Sequence, residues 1–412
     1  MPDNPPVEKS QTCCCIVGGG PAGMMLGFLL ARAGVGVQVL EKHADFLRDF
    51  RGDTIHPSTL ELMHELGILS EFLKRPHNEV REVSVQIGGE EVRMADFTHL
   101  PTFCKFIVFM PQWDFLNFIV DQTKSLPNFR LRMQAEVTGL VQEGGRVAGV
   151  RAKTPAGGIE VRADLVVGCD GRHSLVRKSA GLVVDDLGAP MDVLWMRLSK
   201  KAGDPGQSLG RVGSGGILVM FERGDFWQCG LVIPKGGSDE IKRGGLPAFR
   251  ERLAAFAPVL ADRVAELDDW DKIKLLTVTV DRLRHWHRPG LLCIGDAAHA
   301  MSPIGGIGIN LAIQDAVAAS NILAAPLLAG TVGEASLGAV QRRRMLPTRL
   351  TQRLQLFLQD NVITRVLGAR KALRMPLIFR LMGRFPVLRR IPARVMGVGF
   401  RPEHVRTSPA AR

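Results

Sequence analysis

The chain has 412 residues, 46% of them hydrophobic and 23% charged, which excludes wholesale disorder and suits two or three packed domains. Its seven cysteines, three of them consecutive at Cys13, Cys14 and Cys15, form no disulfide framework and point to a reducing, cytoplasmic setting. The net charge of +12 is uneven: residues 341–412 hold 17 Lys and Arg against Asp360 and Glu403, so they carry +15 while the first 340 residues carry −3.

Residues 1–12 read as a disordered lead, and their prolines and acid do not make the positive start of a signal peptide. Thr12 to Val17 predicts a strand, a glycine cluster follows, and Met24 to Ala33 predicts a helix closed by Gly34. Val35 to Leu40 predicts a second strand ending at Glu41, completing a βαβ unit. The glycines from Gly18 to Gly27 argue against reading Cys13 to Ala31 as a membrane span. Thr59 to Leu66 and Trp113 to Lys124 predict helices. Leu131 to Val141, Val147 to Lys153 and Gly158 to Val161 predict a meander, and Leu165 to Cys169 a buried parallel strand. From Met191 the pattern changes: Val193–Leu198, Gly216–Phe221 and Phe226–Ile233 predict a separate sheet joined by glycine-rich turns. A helix over Leu246–Ala257, a returning strand over Lys274–Val280, a buried strand over Leu291–Ile294 and a helix over Asn310–Ala324 follow. Helices then run to the end, broken by Pro376, Pro386 and Pro392.

Three motifs carry chemistry. Gly18-Gly19-Gly20-Pro21-Ala22-Gly23 stands between a strand and a helix, where Gly18 permits the turn, Gly20 lets a pyrophosphate approach the backbone and Gly23 lets strand and helix touch. Glu41, 18 residues after Gly23 and followed by Lys42, ends the second strand where an acid accepts from ribose hydroxyls. The second motif runs from Leu165 through Gly168-Cys169-Asp170-Gly171 to Ser174 and Arg177. The third, Gly295-Asp296-Ala297-Ala298-His299, continues through Pro303 to Gly308-Ile309-Asn310 at the start of a helix. An aspartate at a strand end suits a ribityl chain, and the helix start suits negative charge on a reduced ring.

At these motifs the chain resembles the flavoprotein monooxygenases of the p-hydroxybenzoate hydroxylase type, the single-component aromatic hydroxylases, over most of residues 13–325. The resemblance implies an α/β protein: a Rossmann-like FAD-binding domain with an inserted, mainly antiparallel β-sheet substrate domain and a helical C-terminal region. The FAD-binding domain would take residues 13–80, 105–180 and 281–340, the substrate domain 81–104 and 181–280, and the basic helical region 341–412. It further implies FAD, reduction by NADPH or NADH, reaction with O₂ through a C4a-hydroperoxyflavin, and hydroxylation or epoxidation of an apolar, aromatic or polycyclic small molecule. Carried over residue by residue, Gly18, Gly20, Ala22 and Gly23 would form the phosphate loop, and Glu41 with Lys42 the ribose site. Arg51 would meet the pyrophosphate and Gln112 the ribityl or phosphate region. Asp170 would serve FAD and nicotinamide, Asp296 the ribityl chain, Pro303 the space above the ring, and Gly308, Ile309 and Asn310 its pyrimidine edge. The alternative is an FAD-dependent reductase or dehydrogenase of a quinone-like or isoprenoid substrate at a membrane surface.

The chain departs from that family in having no tyrosine, so the tyrosine network that activates phenols is absent and no catalytic base is assigned. It also lacks the paired tryptophans of flavin halogenases, since Trp227 is followed by Gln-Cys-Gly-Leu-Val-Ile233-Pro234. Trp195, Met196, Phe221, Trp227 and Val232 are candidates for lining a substrate cavity, with the alternation of strand faces admitting only part of the set. Trp195, Phe221 and Trp227 lead it. His285 and His287 with Cys293 lack a ligand set for zinc, so no metal is expected. His299 reads equally as an acid–base group or as a packed histidine. In the tail, Leu354, Phe357, Leu358, Val362, Ile363 and Val366 approximate an amphipathic stripe. It reads as a cap packed on the body, or as a peripheral anchor on an anionic membrane. No nucleic-acid module accompanies the charge.

Overall fold

The computed structural model describes residues 7–47, 54–204, 209–213, 215–369 and 375–410. Two large sheets organise them. The first runs in the order His287–Arg288, Leu291–Cys293, Gly157–Gly168, Glu8–Val17, Val37–Leu40, Phe129–Arg132. All but the first of these pair in parallel, while His287–Arg288 closes its edge antiparallel. The hairpin Glu136–Glu143/Arg146–Thr154 pairs antiparallel with the first half of Gly157–Gly168. Parallel strands are covered on both faces, and Val37–Leu40 is buried at every position. The helix Pro21–Arg32 lies close on this sheet because Gly27 has no side chain; a Cβ there would meet Phe129 at 2.9 Å.

Residues 8–12 are not a disordered lead. The strand begins at Glu8, since Glu8 to Thr12 find backbone partners in Ile159 to Ala163. For the same reason the strands expected at Gly158–Val161 and Leu165–Cys169 are one continuous element. Cys14 and Cys15 are fully buried in this sheet, and burial pushes both thiols up, Cys15 to about 12, so they are packing groups.

The second sheet runs Ile273–Leu276, Met191–Ser199, Phe226–Pro234, Gly216–Glu222, Leu209–Gly213, Glu82–Ile87, Glu90–Asp96. Its pairs are antiparallel except that between Leu209–Gly213 and Glu82–Ile87. The returning strand is shorter than the sequence pattern suggests, ending at Leu276. One face of this sheet, with Leu194, Met196, Leu198, Leu218, Met220 and Trp227, packs on Phe249 and Leu253 of the helix Leu246–Phe256. The other face carries Val193, Trp195, Val232 and Phe221, and meets Ile304 and Ile363.

The tail is a helix Glu334–Leu358, a π turn Gln359–Ile363, a short helix Thr364–Leu367 and two further helices, Leu377–Arg384 and Arg390–Gly397. The expected stripe fails on both sides of the π turn: Thr351, Gln352 and Gln355 hold the buried face ahead of it, and its extra residue rotates the turn that follows. Ile363 and Val366 are buried, while Phe357 is 60% and Val362 38% exposed. Among the described residues one helical segment, Ile304–Leu328, is long and apolar enough to cross a membrane, and 72% of its apolar window is buried inside the protein. It is the core helix of the fold.

Candidate functional site

The glycine loop closes the first parallel strand against the helix Pro21–Arg32. Gly18 sits at φ +103°, and a Cβ on it would stand 2.5 Å from the Cys169 carbonyl; a Cβ on Gly23 would stand 2.0 Å from the Gly18 carbonyl. Both must be glycine for the turn to close. At Gly20 a Cβ would meet nothing within 4 Å, so the backbone there faces open space. Gly20 is also the N-cap of Pro21–Arg32, whose first turn has neither a side-chain cap nor an acid. Its unsatisfied N–H groups and the positive end of its dipole point into that space.

Around this opening the structure gathers several of the expected residues. Glu41 is buried beside the loop, with Oε2 accepting from Gly19 N at 2.8 Å and Oε1 from His43 N at 3.0 Å. Lys42, next along the chain, is exposed. Ala22 is buried, its Cβ 3.0 Å from where a Gly295 side chain would start, so the loop abuts the turn Gly295–Ala297 that holds Asp296. The Asp296 carboxylate is 34% exposed and 3.7 Å from the Arg172 guanidinium. Arg51 lies outside the described residues.

Asp170, just past the end of the central strand, is bonded within its own turn. Its Oδ1 accepts from Ser174 Oγ and its Oδ2 from Val176 N, so it secures the turn that opens the helix Leu175–Ser179. Burial pushes its carboxyl up, against those hydrogen bonds. Gln112 is the first residue of the helix Gln112–Thr123, half-buried, and makes no side-chain cap; Pro111 is the N-cap.

Pro303 to Ile309, in the third motif, form a half-buried run. Pro303 precedes the turn Ile304–Gly306, where Gly305 and Gly306 both take positive φ, and Gly308 and Ile309 lie in the uncapped first turn of Ile307–Leu328. Asn310 is buried and fully used: Oδ1 accepts from His56 N and Thr59 Oγ1, and Nδ2 donates to the Thr54 and Gly306 carbonyls. Its side chain therefore ties the start of Ile307–Leu328 to Thr54, His56 and Thr59.

His299 proves to be a packed histidine. It is 1% exposed, and Nε2 meets Asp315 Oδ2 at 2.5 Å. Arg344 Nε donates to Asp315 Oδ1 at 2.8 Å and Arg344 Nη1 reaches Glu403 at 3.3 Å. Burial works to raise the Asp315 carboxyl, but His299 and Arg344 hold it below the usual range.

Sequence reasoning missed the residues that hold this loop from behind. Gln352, Gln355 and Gln359 are buried in one row. Gln352 Nε2 donates to the Asp281 and Ala300 carbonyls, Gln355 bonds Ser302 N and the Ser302 and Ile304 carbonyls, and Gln359 Nε2 donates to Ser302 Oγ. The one signal in the sequence was three glutamines at helical spacing.

Of the aromatic candidates, Trp195 and Phe221 share the face that meets Ile304, stacked with centroids 6.1 Å apart, and Phe221 continues to Phe109 at 5.1 Å. Trp227 does not join them. Strand alternation puts it on the opposite face, fully buried, with Nε1 donating to Asp204 Oδ2 at 2.9 Å. Met196 is on that same far face, and Val232 on the near one.

The chain matches the FAD binding domain family over residues 11–353. It is 35% identical over 393 residues to a 6-methylpretetramide 4-monooxygenase of Streptomyces rimosus, covering 95% of this chain and 93% of that protein. It is 29% identical to a dialkyldecalin synthase of Streptomyces rugosporus, over 73% of this chain but only 62% of that longer protein. Among solved structures, p-nitrophenol 4-monooxygenase PnpA from Pseudomonas putida DLL-E4 superposes with a TM-score of 0.76 at 21% identity, covering 94% of this chain and 97% of that one.

Proposed function

The chain belongs to the FAD-binding flavoprotein monooxygenases and is an FAD-dependent oxidoreductase, and from that premise we propose that it hydroxylates an aromatic, polycyclic small molecule with O₂ and NADPH or NADH. The reading draws on the 35% identical relative, which is named a 6-methylpretetramide 4-monooxygenase. The residues fit FAD: an open space at Gly20 before an uncapped helix, a buried carboxylate at Glu41 for a ribose, and a part-exposed carboxylate at Asp296 on the adjoining turn. The flavin, when bound, supplies the oxygen-transfer chemistry.

The Gly20 loop would hold the pyrophosphate of FAD by backbone N–H groups. Glu41 would hold the cofactor's adenosine ribose and Asp296 its ribityl chain. The first turn of Ile307–Leu328, held by Asn310, would offer N–H groups and a positive dipole end to the flavin ring. The single observation that carries the reading is at Ile304: one loop joins the Asp296 turn to the aromatic face of Trp195 and Phe221. A planar apolar substrate would stack on that face, shielded from water.

The test is anaerobic stopped-flow reduction of the bound flavin by NADPH and by NADH, with and without a panel of phenols, quinones and polycyclic aromatics. Acceleration by a polycyclic phenol, followed by a product one oxygen heavier in air, is the expected outcome. Failure of both nicotinamides to reduce the flavin under every condition rules the reading out. A second property rests on its own observation. Leu377, Phe385, Val387 and Ile391 are 51–75% exposed in a stretch, 375–402, that holds arginines and no acid. Peripheral contact with an anionic membrane is the corresponding expectation, and salt-sensitive flotation with phosphatidylglycerol liposomes checks it.

A further inference from the structure

Away from the glycine-loop opening, three arginines converge on one cavity. Arg349 and Arg353 stand one turn apart on Glu334–Leu358, and Arg282 reaches toward them from the short strand Asp281–Leu283. With Leu187, Gln352 and Leu356 they line a cavity of ≈ 240 Å³. Like charges four residues apart on a helix repel, and a third guanidinium beside them adds to the repulsion. Arg282 registers both effects: its pKa is lowered by burial first and by Arg349 next, with Asp185 opposing and Arg353 adding.

The nearby acids are already engaged. Asp185 accepts from Arg284 Nε at 2.7 Å, and Asp281 pairs with Arg177 at 2.9 Å. Arg282 Nη1 donates to Gln352 Oε1, a neutral acceptor, at 2.7 Å. Arg349 and Arg353 have no hydrogen-bond or ion-pair partner among the described residues. Such a cluster lacks one thing, a dianion.

We propose that Arg282, Arg349 and Arg353 form a binding site for a phosphomonoester. Three guanidinium forks present more N–H donors than the two oxygens of a carboxylate accept, whereas a phosphate offers three terminal oxygens and close to two charges. The cavity lies below the ~300 Å³ at which sites for whole small molecules begin, so it takes one group and not an entire cofactor. The occupant bears on the flavin loop, because Gln352, which holds Arg282 by its oxygen, holds the Asp281 and Ala300 carbonyls by its nitrogen. Two sources share this chemistry: the adenosine 2′-phosphate of NADPH, which rests on the function proposed above, and a free phosphorylated ligand.

The experiment titrates the FAD-loaded enzyme with inorganic phosphate and with adenosine 2′,5′-bisphosphate by calorimetry at fixed ionic strength. Saturable binding, weakened tenfold or more in an Arg349→Gln/Arg353→Gln double variant and partly restored by the Lys pair, is expected; the flavin spectrum reports that the variants are folded. Competition of the bisphosphate with NADPH, and a rise in KM for NADPH alone in the double variant, identifies the reductant as the source. Phosphate altering reduction by NADH and NADPH equally identifies a free ligand. Absence of saturable binding at millimolar concentration, or binding unchanged in the double variant, overturns the site. Binding is read without turnover, so failure of the monooxygenase reading leaves this result standing, and the reverse.

Discussion

At Gly20 and Gly23 two glycines three residues apart carry opposite demands. Gly23 is required by the fold itself, since a Cβ would sit 2.0 Å from the Gly18 carbonyl, whereas Gly20 faces only open space. Gly23→Ala is expected to lower stability by about 3 kcal/mol even in FAD-stripped protein. Gly20→Ala is expected to leave the stripped protein within about 0.5 kcal/mol of the parent while weakening FAD at least tenfold, about 1.4 kcal/mol. Paired denaturation and flavin-fluorescence titrations check this, and Gly20→Ala binding FAD as tightly as the parent would remove the pyrophosphate from the loop. His56 makes a pH prediction. It is fully buried with Nδ1 2.7 Å from the Met396 carbonyl, and burial pushes its pKa from 6.5 down to about 4. The unfolded chain therefore binds a proton that the folded one refuses. Stability is whole above pH 6.5 and falls as the pH drops toward 4, by roughly 3 kcal/mol in all. His56→Asn keeps a donor for Met396 but has no proton to take up, so its unfolding free energy should vary less across that window; an unchanged slope would assign the effect elsewhere.

At the scale of elements, the second sheet separates packing from recognition by its two faces. Trp227→Ala is expected to cost about 3–5 kcal/mol of stability, as a large side chain removed from a closed core. In the protein that still folds, aromatic-ligand affinity should stay within about twofold of the parent, a difference near 0.4 kcal/mol. Trp195→Ala and Phe221→Ala should do the reverse, raising KM for the aromatic substrate roughly tenfold, about 1.4 kcal/mol, with flavin content unchanged. Steady-state kinetics beside thermal melts separate the two patterns, and equal effects on KM from all three would mean that the faces do not divide the labour. Sequence alone could not make this division: Trp195 and Trp227 both lie on strands, and only the pairing of Leu198 with Trp227 fixes the phase that sends them apart. The glycine loop was legible because its chemistry is written at fixed offsets along one stretch of chain. The glutamine row was not, because Gln352, Gln355 and Gln359 acquire meaning only through the Asp281 and Ser302 carbonyls and the Ser302 hydroxyl, about fifty residues away or more. The tail stripe failed because polar Thr351, Gln352 and Gln355, and not Leu354 and Phe357, take the buried face, and a π turn then shifts the phase.

At the scale of the whole molecule, the extended segment 401–410, beyond the residues shared with the family at large, ties several helices together. Glu403 takes two hydrogen bonds from Arg343 and one from Arg344, and its backbone N–H donates to Gln314. Val405 N bonds Glu65, Arg406 N bonds Asn321, and Ala410 N reaches the Arg32 carbonyl at 2.8 Å. The segment therefore links Pro57–Glu65, Ile307–Leu328, Glu334–Leu358 and the end of Pro21–Arg32, which are the helices that frame the glycine loop and the Asn310 turn. Its hold is electrostatic as well as geometric. Arg344 is 1% exposed and shares its charge between Asp315 and Glu403, so removing one carboxylate leaves buried positive charge half compensated. Glu403→Ala is expected to cost about 2–3 kcal/mol, the worth of hydrogen bonds to a charged group in a buried site, against about 0.5 kcal/mol or less for Arg406→Ala at the surface. Deleting residues 401–412 should go further, lowering the melting temperature and releasing FAD together, because the helices that frame the cofactor opening lose their common tie. Melts followed by flavin fluorescence and by circular dichroism decide it: coincident, lowered transitions support the strap, and a truncated protein that keeps FAD to the parent's melting temperature shows that the two sheets hold the cofactor without it.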